Sequence, residues 1–397
     1  MLDLLTSLVD KSLVLAETQH GEAHYRLLET VRQYARDRLA EAGEAADVRT
    51  RHRDWYLALA EQAEEGLPGH DQRYWLRRLD MEHDNLRVAL EWTLDAKDAE
   101  IARRLAGSLS YFWRTRDYFS EGAMWWDRIL SHDGDVSPSV QAKSLRIAAE
   151  MLGLHGQFAR AAAYAADALD FDRRLGDKRG IGISLNLLGL TAASQGDLER
   201  ATLLFSEGLA ACREAGEDWW TANALTQLGE MARRRGNHGA AQTFYEESLA
   251  LLRVMGDQRA IAAVLGNLGF TEIAEGDPGK ATLFFQESLN MQREVGSKKG
   301  IAEGLLGFAG AALAEGNAAR ATRLLGAAEV LLGAIDVHFD HADQINLERW
   351  MKAARTALGD VAFTAHRAEG QAMTLEQAIE YALAERPTDR LDAHPDE

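Results

Sequence analysis

Apolar residues in the middle of the chain recur at helical spacing, in paired runs broken by short polar turns. Across residues 181–220, Leu185, Leu188, Gly189 and Ala192 mark one helical face. Gln195-Gly196-Asp197 then interrupts the pattern, and Ala201, Leu204, Phe205, Gly208, Leu209 and Cys212 resume it. The next unit repeats this with Leu225, Leu228 and Gly229, a break at Arg235-Gly236-Asn237, then Ala241, Phe244, Tyr245, Ser248 and Leu249. A third copy carries Leu265, Leu268, Gly269, Gly276-Asp277, Ala281, Phe284, Phe285, Ser288 and Leu289. Gly156, Gly196, Gly236, Gly276 and Gly316 keep a strict forty-residue period, and Ala161, Ala201, Ala241, Ala281 and Ala321 follow in phase. A period of this length predicts stacked helical hairpins, each needing its neighbours to bury its apolar face.

The small residues carry the geometry. Gly189, Gly229 and Gly269 are expected on the face where the two helices of a hairpin meet, allowing a close crossing. The mid-unit glycines are expected to end the first helix, with Asp197 and Asp277 capping the second. Gly176, Gly216, Gly256 and Gly296 are expected to end each second helix.

Leu185, Leu188, Gly189, Ala192, Ala201, Phe205 and Gly208 fall on the small and large positions of the tetratricopeptide repeat, which this pattern resembles. The units here are longer than the usual 34 residues and lack the usual proline before the next unit. The resemblance implies an all-α fold: a TPR-like α-solenoid, a right-handed superhelix of helical hairpins with 40-residue repeats. Six units are expected over residues 101–340. The first is degenerate, keeping Leu105, Leu109, Arg116-Asp117, Trp125 and Ile129 in register without the glycine and alanine. Its aromatics, Tyr111, Phe112, Trp113, Tyr118, Phe119, Trp125 and Trp126, are expected to be core.

Residues 43–100 form a helical linker, with amphipathic helices expected at 46–66 and 71–95. Residues 341–386 are expected to be capping helices, one at 341–358 and one opened by a capping box at Thr374-Leu375-Glu376-Gln377. The polar tail 387–397 is expected to be disordered.

Residues 1–42 differ in kind, reading as a short helix, two extended stretches at 12–17 and 23–28, and a helix from Glu29 to Ala42. The strings Leu8-Val9-Asp10-Lys11-Ser12-Leu13-Val14 and Tyr25-Arg26-Leu27-Leu28-Glu29-Thr30-Val31-Arg32-Gln33-Tyr34-Ala35 resemble the winged-helix segment of bacterial STAND-type regulatory ATPases. So does Glu82-His83-Asp84-Asn85-Leu86-Arg87 with Ala89-Leu90-Glu91-Trp92. In that family a repeat superhelix senses an inducer or partner and controls an ATPase. The resemblance implies a sensor arm with a partial winged helix at its start, and a nucleotide-binding domain N-terminal to this chain.

Charge and composition narrow the chemistry. A net charge of -18 disfavours a phosphate backbone as partner, so direct DNA binding is not expected, although Arg26, Arg32, Arg36 and Arg38 lie in the winged-helix segment. The single cysteine, Cys212, reads as a buried hydrophobe and fits a reducing compartment. No secretory leader or membrane span is apparent, so a cytoplasmic location is expected. Gly276-Asp277-Pro278-Gly279-Lys280-Ala281-Thr282 misses the phosphate-loop pattern at Ala274 and Ala281, so no nucleotide cofactor is expected there. Asp336, His338, Asp340, His341 and Asp343 read as a polar loop leading into a helix, not as a metal site. No catalytic constellation stands out, and the chain reads as non-enzymatic.

The expected working surface is the concave face. Taking Gly189 and its equivalents as the buried edge, the inward positions are Arg146, Glu150, Asn186, Leu190, Thr226, Glu230, Arg233, Arg234 and Phe270. Gly266 and Ile273 belong to the same set. Polar donors leading into a small apolar patch suit a peptide, a protein segment or a small inducer. The expected function is the effector-sensing or partner-binding arm of a STAND-like signalling or transcriptional regulator. The alternatives are a free-standing protein–protein adaptor and, further off, a winged-helix DNA binder.

Overall fold

Every twenty residues from Gly156 to Gly316 a glycine takes a left-handed backbone, with φ between +67° and +89°. These nine positions close the ends of successive helices, a conformation that costs a Cβ-bearing residue roughly 1–2 kcal/mol. The computed structural model describes residues 2–19, 22–132, 134–335 and 341–384. Within them lie nineteen helices and one two-stranded hairpin.

The chain opens with α1 (Leu2–Asp10), strands β1 (Val14–Gln19) and β2 (Glu22–Leu27), and α2 (Glu29–Glu41). The strands pair antiparallel, from Val14 opposite Leu27 to Gln19 opposite Glu22. This segment hardly packs on the rest: α2 has no buried residue, and Leu4 and Tyr34 are exposed. Three long helices follow, α3 (Ala45–Gly66), α4 (Gln72–Asp95) and α5 (Ala99–Thr115), with α6 (Phe119–Leu130) folding back on α5. Phe112, Trp113, Phe119, Trp125 and Trp126 are at most 2% exposed, so that aromatic cluster is core, with Tyr111 and Tyr118 packed at its edge.

Five helical hairpins then stack: α7 (Pro138–Leu154) with α8 (Phe158–Leu175), α9 (Lys178–Ser194) with α10 (Leu198–Ala215), and α11 (Asp218–Arg234) with α12 (His238–Met255). After them come α13 (Gln258–Glu275) with α14 (Pro278–Val295) and α15 (Lys298–Ala314) with α16 (Ala318–Ile335). The turn residues work as their spacing predicts. Asp177, Asp197, Asn237, Asp257, Asp277 and Ser297 each accept a hydrogen bond from the backbone N–H three residues on.

Inside three hairpins one contact repeats. A methyl added at Gly189, Gly229 or Gly269 would lie 2.6, 2.5 or 2.6 Å from the ring of Phe205, Tyr245 or Phe285, all fully buried. The glycine makes room for an aromatic ring of the partner helix, not for its backbone. Where the first helix carries Ala149 or Ala309 in that position, the second carries Ala165 or Leu325 in place of the ring.

The array ends in α17 (His341–Leu358), α18 (Asp360–Gln371) and α19 (Leu375–Leu383). Thr374 and Gln377 form the expected capping box. Helix α18 was not anticipated. It crosses α16 backbone to backbone: a methyl at Gly370 would lie 2.0 Å from Arg323 O, and one at Gly326 would lie 2.5 Å from Arg367 O. Asp336, His338, Asp340 and the tail 387–397 lie outside the described residues.

Candidate functional site

The first helix of each hairpin faces a common lumen, and a cavity of about 920 Å³ follows it. Helix α11 lines this space along its whole length, through Trp219, Asn223, Gln227, Glu230 and Arg234. At 1.5 Å per residue that wall is about 22 Å long. The forty-residue register lays equivalent residues side by side on neighbouring helices. One level holds Trp219, Arg259 and Lys299, and another holds Gln227 and Asn267. Leu187, Leu190, Val264 and Phe270 supply the apolar part of the wall.

Helices α4 and α5 reach across the superhelix and dock on the turns that start α13 and α15. Asp257 is the hub. It is fully buried and caps Ala260 N at 3.0 Å. It also accepts from Gln72 Nε2 at 3.0 Å, from Trp219 Nε1 at 2.8 Å and from the Tyr111 hydroxyl. At the equivalent turn forty residues on, Ser297 Oγ and Lys299 N donate to Asp117 of the α5–α6 turn at 3.3 and 3.0 Å. Arg116 donates to Val295 O, and Arg73 pairs with Glu294 at 2.9 Å. The repeats and the preceding helices thus form one closed body.

Arg114 joins this latch to the lumen. Its guanidinium lies 4.4 Å from the Tyr111 ring centroid and 4.3 Å from that of Trp219, and it pairs with Glu150 at 2.8 Å. Burial works against its charge, but Glu150, Tyr111 and Asp257 outweigh burial and hold its pKa above the ordinary value.

Of the residues expected on the concave face, Glu150, Leu190, Thr226, Glu230, Arg234 and Phe270 line the cavity, as does Gly266. Arg146, Asn186 and Arg233 do not. Arg146 turns into the seam of its own hairpin, against the fully buried Asp172, which also accepts from Ser184 Oγ at 2.8 Å. Asn186 is fully buried against Gly208 and Cys212. The position three before the packing residue thus adjoins the seam: Thr226 and Gly266 there line the lumen, Asn186 is buried, and Arg146 lines a smaller pocket of about 200 Å³ beside Arg114, Glu150 and Trp219. Arg233 holds Glu230 at 2.8 Å and lies 5.7 Å over the Phe270 ring, a strut for lining residues.

Ile273 packs against the core around Phe285. The inward set that spacing had not singled out is Trp219, Asn223, Gln227, Arg259 and Asn267, together with Arg114 from α5. Their signal was the shared register of 219 with 259 and of 227 with 267. Among the described residues no group of three His, Cys, Asp or Glu could hold a metal ion, and no helix is long and apolar enough to cross a membrane.

Comparison with known proteins agrees with this architecture. A tetratricopeptide-repeat family model matches residues 220–294, and a winged helix-turn-helix model matches residues 1–40. A candidate HTH-type transcriptional regulator of Mycobacterium tuberculosis is 44% identical over 149 residues. That match takes in 36% of this chain and only 17% of the relative's length. Among solved structures, a Rap protein complexed with Competence and Sporulation Factor aligns with 79% of this chain and 99% of its own, at a TM-score of 0.50 and 13% identity. A STAND protein with a tetratricopeptide-repeat sensor from Pyrococcus horikoshii aligns with 92% of this chain and 60% of its own, at 0.47 and 14%. The chain carries tetratricopeptide repeats behind a winged-helix segment, and part of it is related to helix-turn-helix transcriptional regulators.

Proposed function

We propose that this chain is the sensing arm of a STAND-like signalling or transcriptional regulator, working in the cytoplasm without catalysis of its own. A peptide, a protein segment or a small inducer enters the lumen and is read out through the helices that close it. The observation that carries this reading is the double duty of Arg114 and Trp219. Both line the cavity, and Trp219 also donates to Asp257, the residue on which the preceding helices are docked. A ligand touching them changes the free energy of the closed body, as a sensor requires.

The relatives support a regulatory role, and the repeat fold supports binding on the inner surface. On this reading the winged-helix segment packs against a nucleotide-binding domain that precedes it, and does not read DNA.

Thermal melting against a library of peptides and metabolites tests the idea. A ligand at 100 times its Kd should stabilise the fold by about 2.7 kcal/mol. Ala263→Trp, which fills the lumen from α13, should abolish that shift while keeping the melt of the free protein. A shift that survives Ala263→Trp would place recognition elsewhere and remove the lumen as the sensor. The adaptor alternative predicts instead that a partner protein protects the outer helices and that Ala263→Trp has no effect.

A further inference from the structure

We infer that the smaller cavity beside the lumen is a separate site for an uncharged, flat, two-ring heteroaromatic of the purine-base type. It encloses about 200 Å³ between the non-repeating helices α3 and α5 and the first helices α7, α9 and α11. Glu64, Gly107, Ser110 and Tyr111 give it a wall that no repeat supplies, while Arg114, Glu150, Trp219 and Trp220 border both cavities. An apolar cavity of about 150 Å³ holds one benzene, so this space takes a fused ring system and not a run of residues. Because Arg114 also lines the lumen, an occupied site would bear on it, but the site does not rest on the sensor reading.

The charges select against an ion. Every cation that lines the cavity already faces a carboxylate: Lys143 holds Glu64 at 2.6 Å, Arg114 holds Glu150 at 2.8 Å, Arg179 holds Glu217, and Arg146 holds the buried Asp172. A charged ligand would enter this balanced wall without a counter-ion, at a desolvation cost that nothing there repays. An uncharged one meets hydrogen-bonding capacity left over. Arg114 Nε is buried without a hydrogen-bond partner. Among the described residues, Glu150 and Glu217 each accept a hydrogen bond through one oxygen alone. The wall thus offers donors and acceptors together, and the edge of a purine base presents both in return. Tyr111, Trp219 and Trp220 supply aromatic surface, and Ile147 and Ile183 aliphatic surface, against which a flat ring packs.

Titration calorimetry on the full chain tests this with adenine, hypoxanthine, adenosine, indole and the anion indole-3-carboxylate. Adenine or hypoxanthine should bind at least about tenfold more tightly than indole, which lacks the polar edge, and than the anion. Adenosine binding as well as adenine would name the nucleoside as ligand, and weaker binding the free base. Gly107 leaves space for a side chain: a methyl there would meet Ile147 Cδ1 at 3.5 Å and Lys143 Cε at 3.8 Å, both ordinary contacts. Gly107→Leu should fill the cavity and abolish binding, whereas Ala263→Trp, which fills the lumen, should leave it unchanged. The ligand series on the native chain decides even if Gly107→Leu fails to fold. Tightest binding of indole-3-carboxylate, or no heat from either base at millimolar concentration, would overturn the site and leave the lumen sensor standing. Base binding that is lost in Ala263→Trp and kept in Gly107→Leu would move the ligand into the lumen and overturn the site equally.

Discussion

Gln72 and Asp257, 185 residues apart in the chain, share a buried hydrogen bond of 3.0 Å that fastens α4 to the start of the fourth repeat hairpin. Asp257 would cap α13 in any repeat of this kind, and here the same carboxylate also accepts from Trp219 and Tyr111. Asp257→Ala therefore removes a cap, worth about 1 kcal/mol. It also leaves buried donors bare, at about 1–3 kcal/mol for a stranded group. The expected result is a lower urea midpoint together with a larger radius of gyration in small-angle scattering, because the closed body loosens. Gln72→Leu should move the radius in the same direction with a smaller stability loss. A radius unchanged in both variants would show that closure does not depend on this contact.

The glycine–ring contact gives a prediction about coupling. Gly229→Ala places a methyl against the Tyr245 ring, so overpacking should destabilise by about 1–3 kcal/mol. Tyr245→Ala alone should cost about 3–5 kcal/mol through the void it leaves. The double variant recreates the pairing that Ala149 and Ala165 already use. Its loss should fall short of the sum of the single losses, with a coupling of about 0.5–3 kcal/mol in a double-mutant cycle. Simple additivity would mean that the ring moves aside without cost.

These two contacts mark what could be read from the chain and what could not. The hairpins, their register and their caps were legible because each rests on local chemistry that recurs: Gly196 ends a helix, Asp197 starts the next, Ala201 fits the crossing. The closure was not legible. Asp257 occupies the same register as Asp177 and Ser297, and nothing in spacing reveals that Gln72 and Tyr111 will reach it from the non-repeating helices. The lumen was legible only in part, since periodicity finds a helix face but does not separate the seam from the lumen where the two adjoin. Asn186 fell on the wrong side of that line, drawn to a buried partner on its own hairpin, whereas Arg146 is tied to Asp172 and still lines a smaller pocket beside Arg114, Glu150 and Trp219. Helix α18 lacked a polar N-cap signal, starting after Gly359, and its pairing with α16 depends on Gly370, which lies outside the forty-residue register, meeting Arg323.

Acid stability should report on Glu121, at the junction of α4 and α6. Burial would raise its pKa, but hydrogen bonds from Arg87 and His83 prevail and hold it at about 2. A carboxylate held below its ordinary value stabilises the fold fully above about pH 4.5 and loses that contribution as pH falls toward 2. Glu121→Gln should thus be less stable than the native chain at neutral pH, with the gap closing between pH 4.5 and 2. Denaturant titrations across that range measure it, and a gap independent of pH would remove the ion pair as its cause.

Cys212 offers a probe of the seam between the first and second helices of its hairpin. Its sulfur packs where a methyl on Gly182 would stand, 2.5 Å away, and Asn186 Nδ2 lies 3.9 Å from it. Burial, aided by the negative charge of Glu217, pushes the thiol up to about 12. At pH 8 the thiolate fraction is then about 10⁻⁴, and the thiolate is the reacting form. The native protein should resist a disulfide reagent such as dithionitrobenzoate, with one equivalent reacting once the hairpin opens in denaturant. Gly182→Ala should press the sulfur out of its niche and speed native-state labelling, because the added methyl also meets the Cys212 backbone N at 3.0 Å and the helix cannot simply settle closer. Rapid labelling of the unmodified chain in buffer would mean that α9 and α10 separate readily, and the lumen wall they help to build would then be too loose to hold a ligand in one pose.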